Sequence, residues 1–299
     1  MVTDKRGLMK VLVLGGTRYF GRHLVHSLIK EGNNVWVLSR GQQADDFGAR
    51  VHRLKADRRD KKSLAAAVEH LHFDAVVDQI CMTAEDAAIA CDVFANKTPY
   101  YIMTSTMSVY HFGSGLREED FNPYLYQPQT PTNPAEEYAE GKRAAEHYFA
   151  NHASFHWAFA RYPVVVGEDD YTHRFALHVE KVQQEKPLYF PNLNARFSFV
   201  TSADAGKSLL WLLHGKHTGI FNFASPEPIL LKEFIEEIEK VTGKKAVLSK
   251  ERSDADWSPY GIPQDWYLNT EKAHAAGFQA QALSDWMRPL IEYFAKQSP

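Results

Sequence analysis

Six short apolar runs, separated by segments with apolar residues at three- and four-residue steps, constrain this chain more than any other feature. The runs are Lys10 to Leu14, Asn34 to Leu38, Val51 to Leu54, Ala75 to Asp78, Tyr100 to Thr104 and Trp157 to Tyr162. Between them, "GRHLVHSLIKEG", "DKKSLAAAVEHLH" and "AEDAAIACDVFAN" can each bury one helical stripe. Strand and helix in alternation predict an α/β fold, a doubly wound parallel sheet whose strand C-termini share one rim, where such folds bind ligands. Beyond Gly167 the pattern is mixed, which sets a smaller C-terminal part apart from the first. The expected division is residues 1–166 and 167–299, with a segment near 219–243 returning to the first part. Residues 111–135 follow neither period and read as a long ordered loop, a lid.

The first strand runs into "GGTRYFG", residues 15 to 21. Gly15 and Gly16 tolerate positive φ and let backbone approach a ligand, and Gly21 lets the following helix pack closely. The helix N-terminus then offers free N–H groups to a pyrophosphate. This turn, Gly15, Gly16, Thr17, Arg18, Tyr19, Phe20 and Gly21, is the candidate cofactor cradle, although Arg18 stands where the middle glycine of such a fingerprint usually lies. Further along, Tyr138 and Lys142 are four apart on one helical face, and "TSTMSVY" places hydroxyls at the end of the fifth strand. A lysine cation near a phenol favours the phenolate, and Thr106 can hydrogen-bond a substrate oxygen.

Together "VLVLGGTRYFG", "TSTMSVY", "YAEGKRAAE", "RYPVVVG" and "FNFASPEPILLKEFIEEIEKVTGKK" resemble, in order and near spacing, the extended short-chain dehydrogenase/reductase family of NAD(P)-dependent epimerases, dehydratases and reductases. The resemblance implies a doubly wound parallel Rossmann sheet as the NAD(P)-binding domain over residues 1–166, a smaller C-terminal substrate-binding domain as the cap over 167–299, and an epimerase- or reductase-like enzyme that transfers hydride at a hydroxyl or carbonyl carbon of a nucleotide sugar. Tyr138 would be the acid/base, Lys142 would hold the nicotinamide ribose, and Thr106, with Ser105 as its neighbouring alternative, would take the hydroxyl role. Asp57 resembles the aspartate that meets the adenine amino group, with Arg58 beside it; a helix N-cap is the alternative for Asp57. The family aspartate closing the second strand is missing. Arg40 occupies that region and suits a 2′-phosphate, so NADP is expected ahead of NAD, with Arg18 reaching the same phosphate or stacking on adenine. Asp78 would put a carboxylate near the cofactor or satisfy local backbone. Met107 and Ser108 replace the Asp-Glu pair of the 4,6-dehydratases, which disfavours water elimination.

Weaker candidates are Arg196 for a substrate diphosphate, Tyr171, His173 and Arg174 for a cleft lining, and Asp204 as an organiser of its helix start. His152 and His156 lack a third ligand, and Cys81 and Cys91 lack metal-like spacing, so no metal is expected. The formal net charge of −3 gives no general attraction to nucleic acid or anionic membrane. A cytoplasmic protein is expected, with no membrane or nucleic-acid partner, and a homodimer is left open. The alternative function is a nucleotide-binding regulator or RNA-binding protein of the atypical branch, which the "GGTR" turn resembles.

Overall fold

In the computed structural model, residues 7–131 and 133–297 are described. They form two compact units, each discontinuous in sequence: the first takes the chain up to Val109, Phe121–Arg161 and Gly206–Phe221, the second Tyr110–Asp120, Tyr162–Ala205 and the chain from Asn222 on. The first break to the C-terminal unit therefore comes at Tyr110, well before 167. The segment that returns is Gly206–Phe221, which overlaps the expected 219–243 only at its strand.

The first unit is built on β1 (Lys10–Leu14), β2 (Asn34–Ser39), β3 (His52–Lys55), β4 (Ala75–Asp78), β5 (Tyr100–Thr106), and the strands His156–Tyr162 and Gly219–Asn222. Seven strands lie in the order Gly219–Asn222, His156–Tyr162, β5, β4, β1, β2, β3. The ladders of β1 with β2 and β4, of β2 with β3, and of β4 with β5 are parallel. Strand order reverses between β1 and β4, which creates the crevice where doubly wound sheets bind ligands. Val11 to Leu14 are fully buried because helices cover both faces. The helices of this unit are α1 (Tyr19–Lys30), α2 (Lys61–Ala67), α3 (Ala84–Phe94) and α4 (Pro134–His152). Thr83 caps α3 by accepting from the Asp86 N–H, and Asn133 caps α4 by accepting from Glu136.

One interaction in this unit lay outside the sequence reading. The Arg161 guanidinium grips Glu146 of α4 through Nε (3.0 Å) and one terminal nitrogen (2.5 Å), and both side chains are 0% exposed. The Ser105 hydroxyl donates to the same carboxylate at 2.5 Å. Helix α4 is thereby tied to β5 and to the neighbouring strand by a dry, charge-assisted joint.

The second unit carries a four-stranded sheet in the order Ile229–Leu230, Arg196–Phe197, Trp266–Leu268, Gly113–Leu116. The last of these lies inside the expected lid, so part of that stretch is sheet. Its period is invisible because two of its four residues are glycine. Three helices, Arg174–Gln183, Leu231–Thr242 and Leu283–Gln297, enclose a core that includes Phe175, Phe199, Phe234 and Tyr260. His178 is buried among these rings, stacked on Tyr260 at 4.5 Å. Its Nδ1 lies 2.7 Å from the Arg174 carbonyl, which can only accept, so Nδ1 carries the proton and Nε2 accepts from the Ser258 hydroxyl at 2.7 Å.

Burial pushes the His178 imidazole down from 6.5 to about 3. A folded-state value below the unfolded one means the unfolded chain binds more protons, so stability is fully present above pH 6.5 and falls as pH drops toward 3. Urea unfolding of His178→Phe should show a pH dependence over that window shallower than wild type by about one proton. An identical slope would remove His178 as a source of acid sensitivity.

Candidate active site

The residues singled out on the first unit converge on the C-terminal rim of β1, β2, β4 and β5. After β1, Gly15 has φ +82°, and a Cβ there would lie 2.7 Å from Ile80 Cγ2. A Cβ on Gly16 would meet Val13 and Val25 at 2.8 and 2.9 Å, so the turn can be made tight only without side chains. Arg18 has φ −138° and ψ 158°, extended backbone that any residue adopts. The missing glycine therefore costs nothing at that position. The strain sits one residue on, at Tyr19, whose φ is +55° as it opens α1. The first turn of α1 has no acidic residue, and Arg18 at its N-cap makes no side-chain cap hydrogen bond, so the positive end of the helix dipole faces no carboxylate of its own first turn. Gly21 is pressed against the Gln79 amide, whose Nε2 is buried without a hydrogen-bond partner. An unsatisfied donor beside a glycine turn fits a phosphate-bearing cofactor.

Beside the turn lies a hollow of about 320 Å³ whose walls include Thr17, Ser39, Gly41, Asp45, Arg53 and Lys55. The Asp45 carboxylate is held by the Arg53 guanidinium at 2.5 and 3.0 Å, which keeps it below the usual carboxylate range. Arg40 is exposed next to this hollow's Ser39 and Gly41. The Arg59 backbone N–H, then its guanidinium and the charge of Arg40, hold Asp57 below its ordinary value.

The structure decides three readings here. Asp57 is not the cap of α2, because Asp60 accepts from Lys62 and Ser63 N–H instead. Arg58, expected at the cofactor beside Asp57, turns inward instead, 3% exposed, to Asp78 (2.5 Å) and Asp86 (2.8 Å). Asp78 is fully buried and follows the second of its two readings, satisfying local backbone: it accepts from the Ile80 N–H at 2.9 Å, and also from Arg58 and from the Tyr101 hydroxyl at 2.6 Å.

Lys142 is 1% exposed. Its ammonium donates to the Cys81 carbonyl at 2.6 Å and the Thr104 carbonyl at 2.8 Å, leaving one N–H of three. Tyr138, one helical turn earlier, is 47% exposed. Thr106 Oγ1 accepts from the Ser108 N–H at 3.1 Å at the end of β5. Ser105, the alternative to Thr106, is committed to Glu146 on the other side of the strand. Tyr138, Lys142 and Glu146 thus form an i, i+4, i+8 stripe that passes from solvent to the core. The periodicity that singled out the first two already contained the third, and the basic start of "RYPVVVG" is its partner.

Of the weaker candidates in the second unit, Arg196 is exposed at a strand start with its backbone N–H on Asp265 (2.8 Å). Tyr171 and His173 precede the helix they were expected to open, and His173 has φ +55°. Arg174 donates to the Thr172 hydroxyl at 3.0 Å. Asp204 lies in the first turn of its helix, where Thr201 accepts from the Asp204 N–H, and the Asp204 carboxylate accepts the Gln281 N–H. His152 bonds its own helix at Tyr148 O. Among the described residues no three His, Cys, Asp or Glu side chains cluster as metal ligands, and no helix is long and apolar enough to cross a membrane.

The model of the NAD dependent epimerase/dehydratase family matches residues 11–224. The chain belongs to that family. It is an enzyme of the short-chain dehydrogenase/reductase type on a Rossmann sheet. It is similar to the dTDP-6-deoxy-L-talose 4-dehydrogenase (NAD(+)) of Aggregatibacter actinomycetemcomitans, 23% identical over 253 residues that cover 77% of this chain and 89% of the other. A shorter match, 31% identical over 114 residues, spans 34% of this chain and 30% of the Arabidopsis thaliana chloroplast stem-loop binding protein of 41 kDa b. In fold the chain resembles the Thermus thermophilus UDP-glucose 4-epimerase solved with NAD, with a TM-score of 0.72, 19% identity and 96% and 99% of the two chains covered. It also resembles the Bacillus anthracis dTDP-glucose 4,6-dehydratase solved with NAD, with a TM-score of 0.73, 15% identity and 96% and 97% covered.

Helix α4 approaches the loop after β4 through Gly141, where a Cβ would lie 2.5 Å from the Met82 carbonyl oxygen. That neighbour is backbone and cannot swing aside. Gly141→Ala should therefore lower stability by about 1–3 kcal/mol in thermal or urea melts and loosen the adjacent Lys142. A melting temperature equal to wild type would show that the helix can retreat without cost.

Proposed function

We propose that the protein is an epimerase- or reductase-like enzyme acting at a hydroxyl or carbonyl carbon of a nucleotide sugar, with NADP favoured over NAD. The observation that carries this reading is Lys142, a cation buried at the strand rim, with a donor to spare and Tyr138 one turn away on the exposed side. A buried ammonium is costly to maintain, and two carbonyl dipoles offset that cost only at one position. Its free N–H would take a ribose hydroxyl. The glycine turn and the uncapped start of α1 would hold the pyrophosphate, and Asp57 would accept from the adenine amino group. A bound nicotinamide supplies or accepts the hydride.

This chain's own residues would handle the proton. Tyr138 would transfer it to or from the substrate oxygen, and Thr106 would orient that oxygen by a hydrogen bond. The second unit would recognise the nucleotide sugar, with Arg196 as its cation for the diphosphate. Two relatives support this substrate class in what their names say: UDP-glucose for the Thermus epimerase and a dTDP-deoxysugar for the Aggregatibacter dehydrogenase. Met107 closes β5 buried in a short 3₁₀ turn with Ser108, so the positions expected to carry a dehydratase acid pair hold none. The resemblance to the chloroplast stem-loop binding protein supports an RNA-binding alternative, against which stand the acidic net charge and the retained Tyr138 and Lys142. Retention on RNA at low ionic strength that is lost with salt would favour it.

Two measurements test the reading. With a substrate found by mass spectrometry of the protein incubated with nucleotide sugars, Tyr138→Phe should lower turnover by about 10² to 10⁴-fold with NADPH affinity nearly intact. Full turnover would remove Tyr138 from the chemistry. In calorimetric titrations NADPH should bind more tightly than NADH, and Arg40→Asp should reverse the order by exchanging attraction for repulsion. Equal affinities in wild type would dismiss the 2′-phosphate site.

A further inference from the structure

The charges buried beneath the rim are not used by the chemistry proposed above. Asp78 and Asp86 are 0% and 3% exposed, and the Arg58 guanidinium lies between them. Each carboxylate has a second task. Asp78 accepts the Ile80 N–H at 2.9 Å, and Asp86 accepts the Met82 N–H at 2.8 Å. Those two amides bracket Cys81, whose carbonyl accepts from the Lys142 ammonium. On the far side, Gly141 brings α4 against the Met82 carbonyl, so the loop is pinned from both faces.

We propose that Arg58 is a positioning residue: by clamping Asp78 and Asp86 it fixes the loop at residues 79–83, so that the Cys81 carbonyl holds the Lys142 ammonium where a nicotinamide ribose is bound. The functional half rests on the proposed role of Lys142, and the clamp itself does not. Two carboxylates left without the guanidinium would repel each other in a dry site and part. Either amide anchor would then be lost, and Cys81 with it. Of the guanidinium nitrogens, one terminal nitrogen donates to Asp78 and the other lies 2.8 Å from Asp86 as an ion pair without hydrogen-bond geometry, so the clamp on Asp86 is electrostatic.

The test uses the whole chain and two variants, Arg58→Met and the milder Asp86→Asn, which decides the question alone if the first does not fold. The first readout needs no cofactor: acylation of Lys142 by an N-hydroxysuccinimide ester, followed by peptide mass spectrometry. All proteins are labelled at one temperature well below the lowest melting temperature, and Lys142 is read against the exposed lysines of the same chain and against buried backbone protection from hydrogen exchange, so that global opening is separated from local release of Lys142. The second readout is NADPH affinity in a double-mutant cycle with Lys142→Ala. Acylation of Lys142 should rise about tenfold in Arg58→Met and by a smaller factor in Asp86→Asn. The NADPH Kd should rise about tenfold with Lys142 present and under about twofold in the Lys142→Ala background. Unchanged acylation in the folded variants, or an equal loss of affinity in both backgrounds, overturns the proposal. Faster acylation in variants of a protein whose NADPH affinity ignores Lys142→Ala would keep the clamp and discard Lys142 as the cofactor anchor.

Discussion

The first unit depends on the ion pair between Arg161 and Glu146. Both partners have lost all contact with water, and a pair in that setting is tolerable only when every donor faces an acceptor. Bidentate contact with Glu146, the Ser105 hydroxyl and the Phe121 carbonyl meet much of that demand in one arrangement. A rotation or slide of α4 by one residue would strand a naked carboxylate under the sheet. Register is therefore dictated by electrostatics, where apolar packing alone would tolerate several solutions.

The fixed register sets everything four and eight residues upstream. Lys142 is delivered to two carbonyls that belong to different strand ends, and Tyr138 is delivered to the rim. Polarity along α4 is graded: an anion matched by arginine at depth, a cation matched by backbone dipoles near the edge, and the Tyr138 side chain in contact with solvent. Such grading keeps each buried charge paired.

The fold was legible because strand and helix differ in period, and the periods alternate. Parallel pairing and a shared C-terminal rim follow from that alternation together with right-handed crossovers, while the ladder order and the position of the β1/β4 reversal are seen only in the structure. Tyr138 and Lys142 were legible as a spacing, and the glycine turn as a composition. Arg58 was misplaced because sequence adjacency to Asp57 says nothing about which way a side chain turns, and its pairing with Asp78 across 20 residues leaves no local trace. Asp57 lost the capping role to Asp60 for a related reason: the run Asp57-Arg58-Arg59-Asp60 holds two acids, and only backbone dihedrals decide which one faces the helix N–H groups. The strand Gly113–Leu116 was hidden by its glycines.

The interleaved order of the two units bears on how the polypeptide emerges from the ribosome. The sheet of the first unit acquires an outer strand only at Gly219–Asn222, after much of the second unit has been synthesised. Until then the apolar edge of His156–Tyr162 has no neighbour on that side. A nascent chain halted between residues 162 and 219 would expose an unpaired edge of the kind that recruits foreign strands. A chain truncated in that interval leaves the first unit without its outer strand, however well the cut matches the linear sequence, and vectorial synthesis makes residue 222 the earliest point at which this sheet is complete.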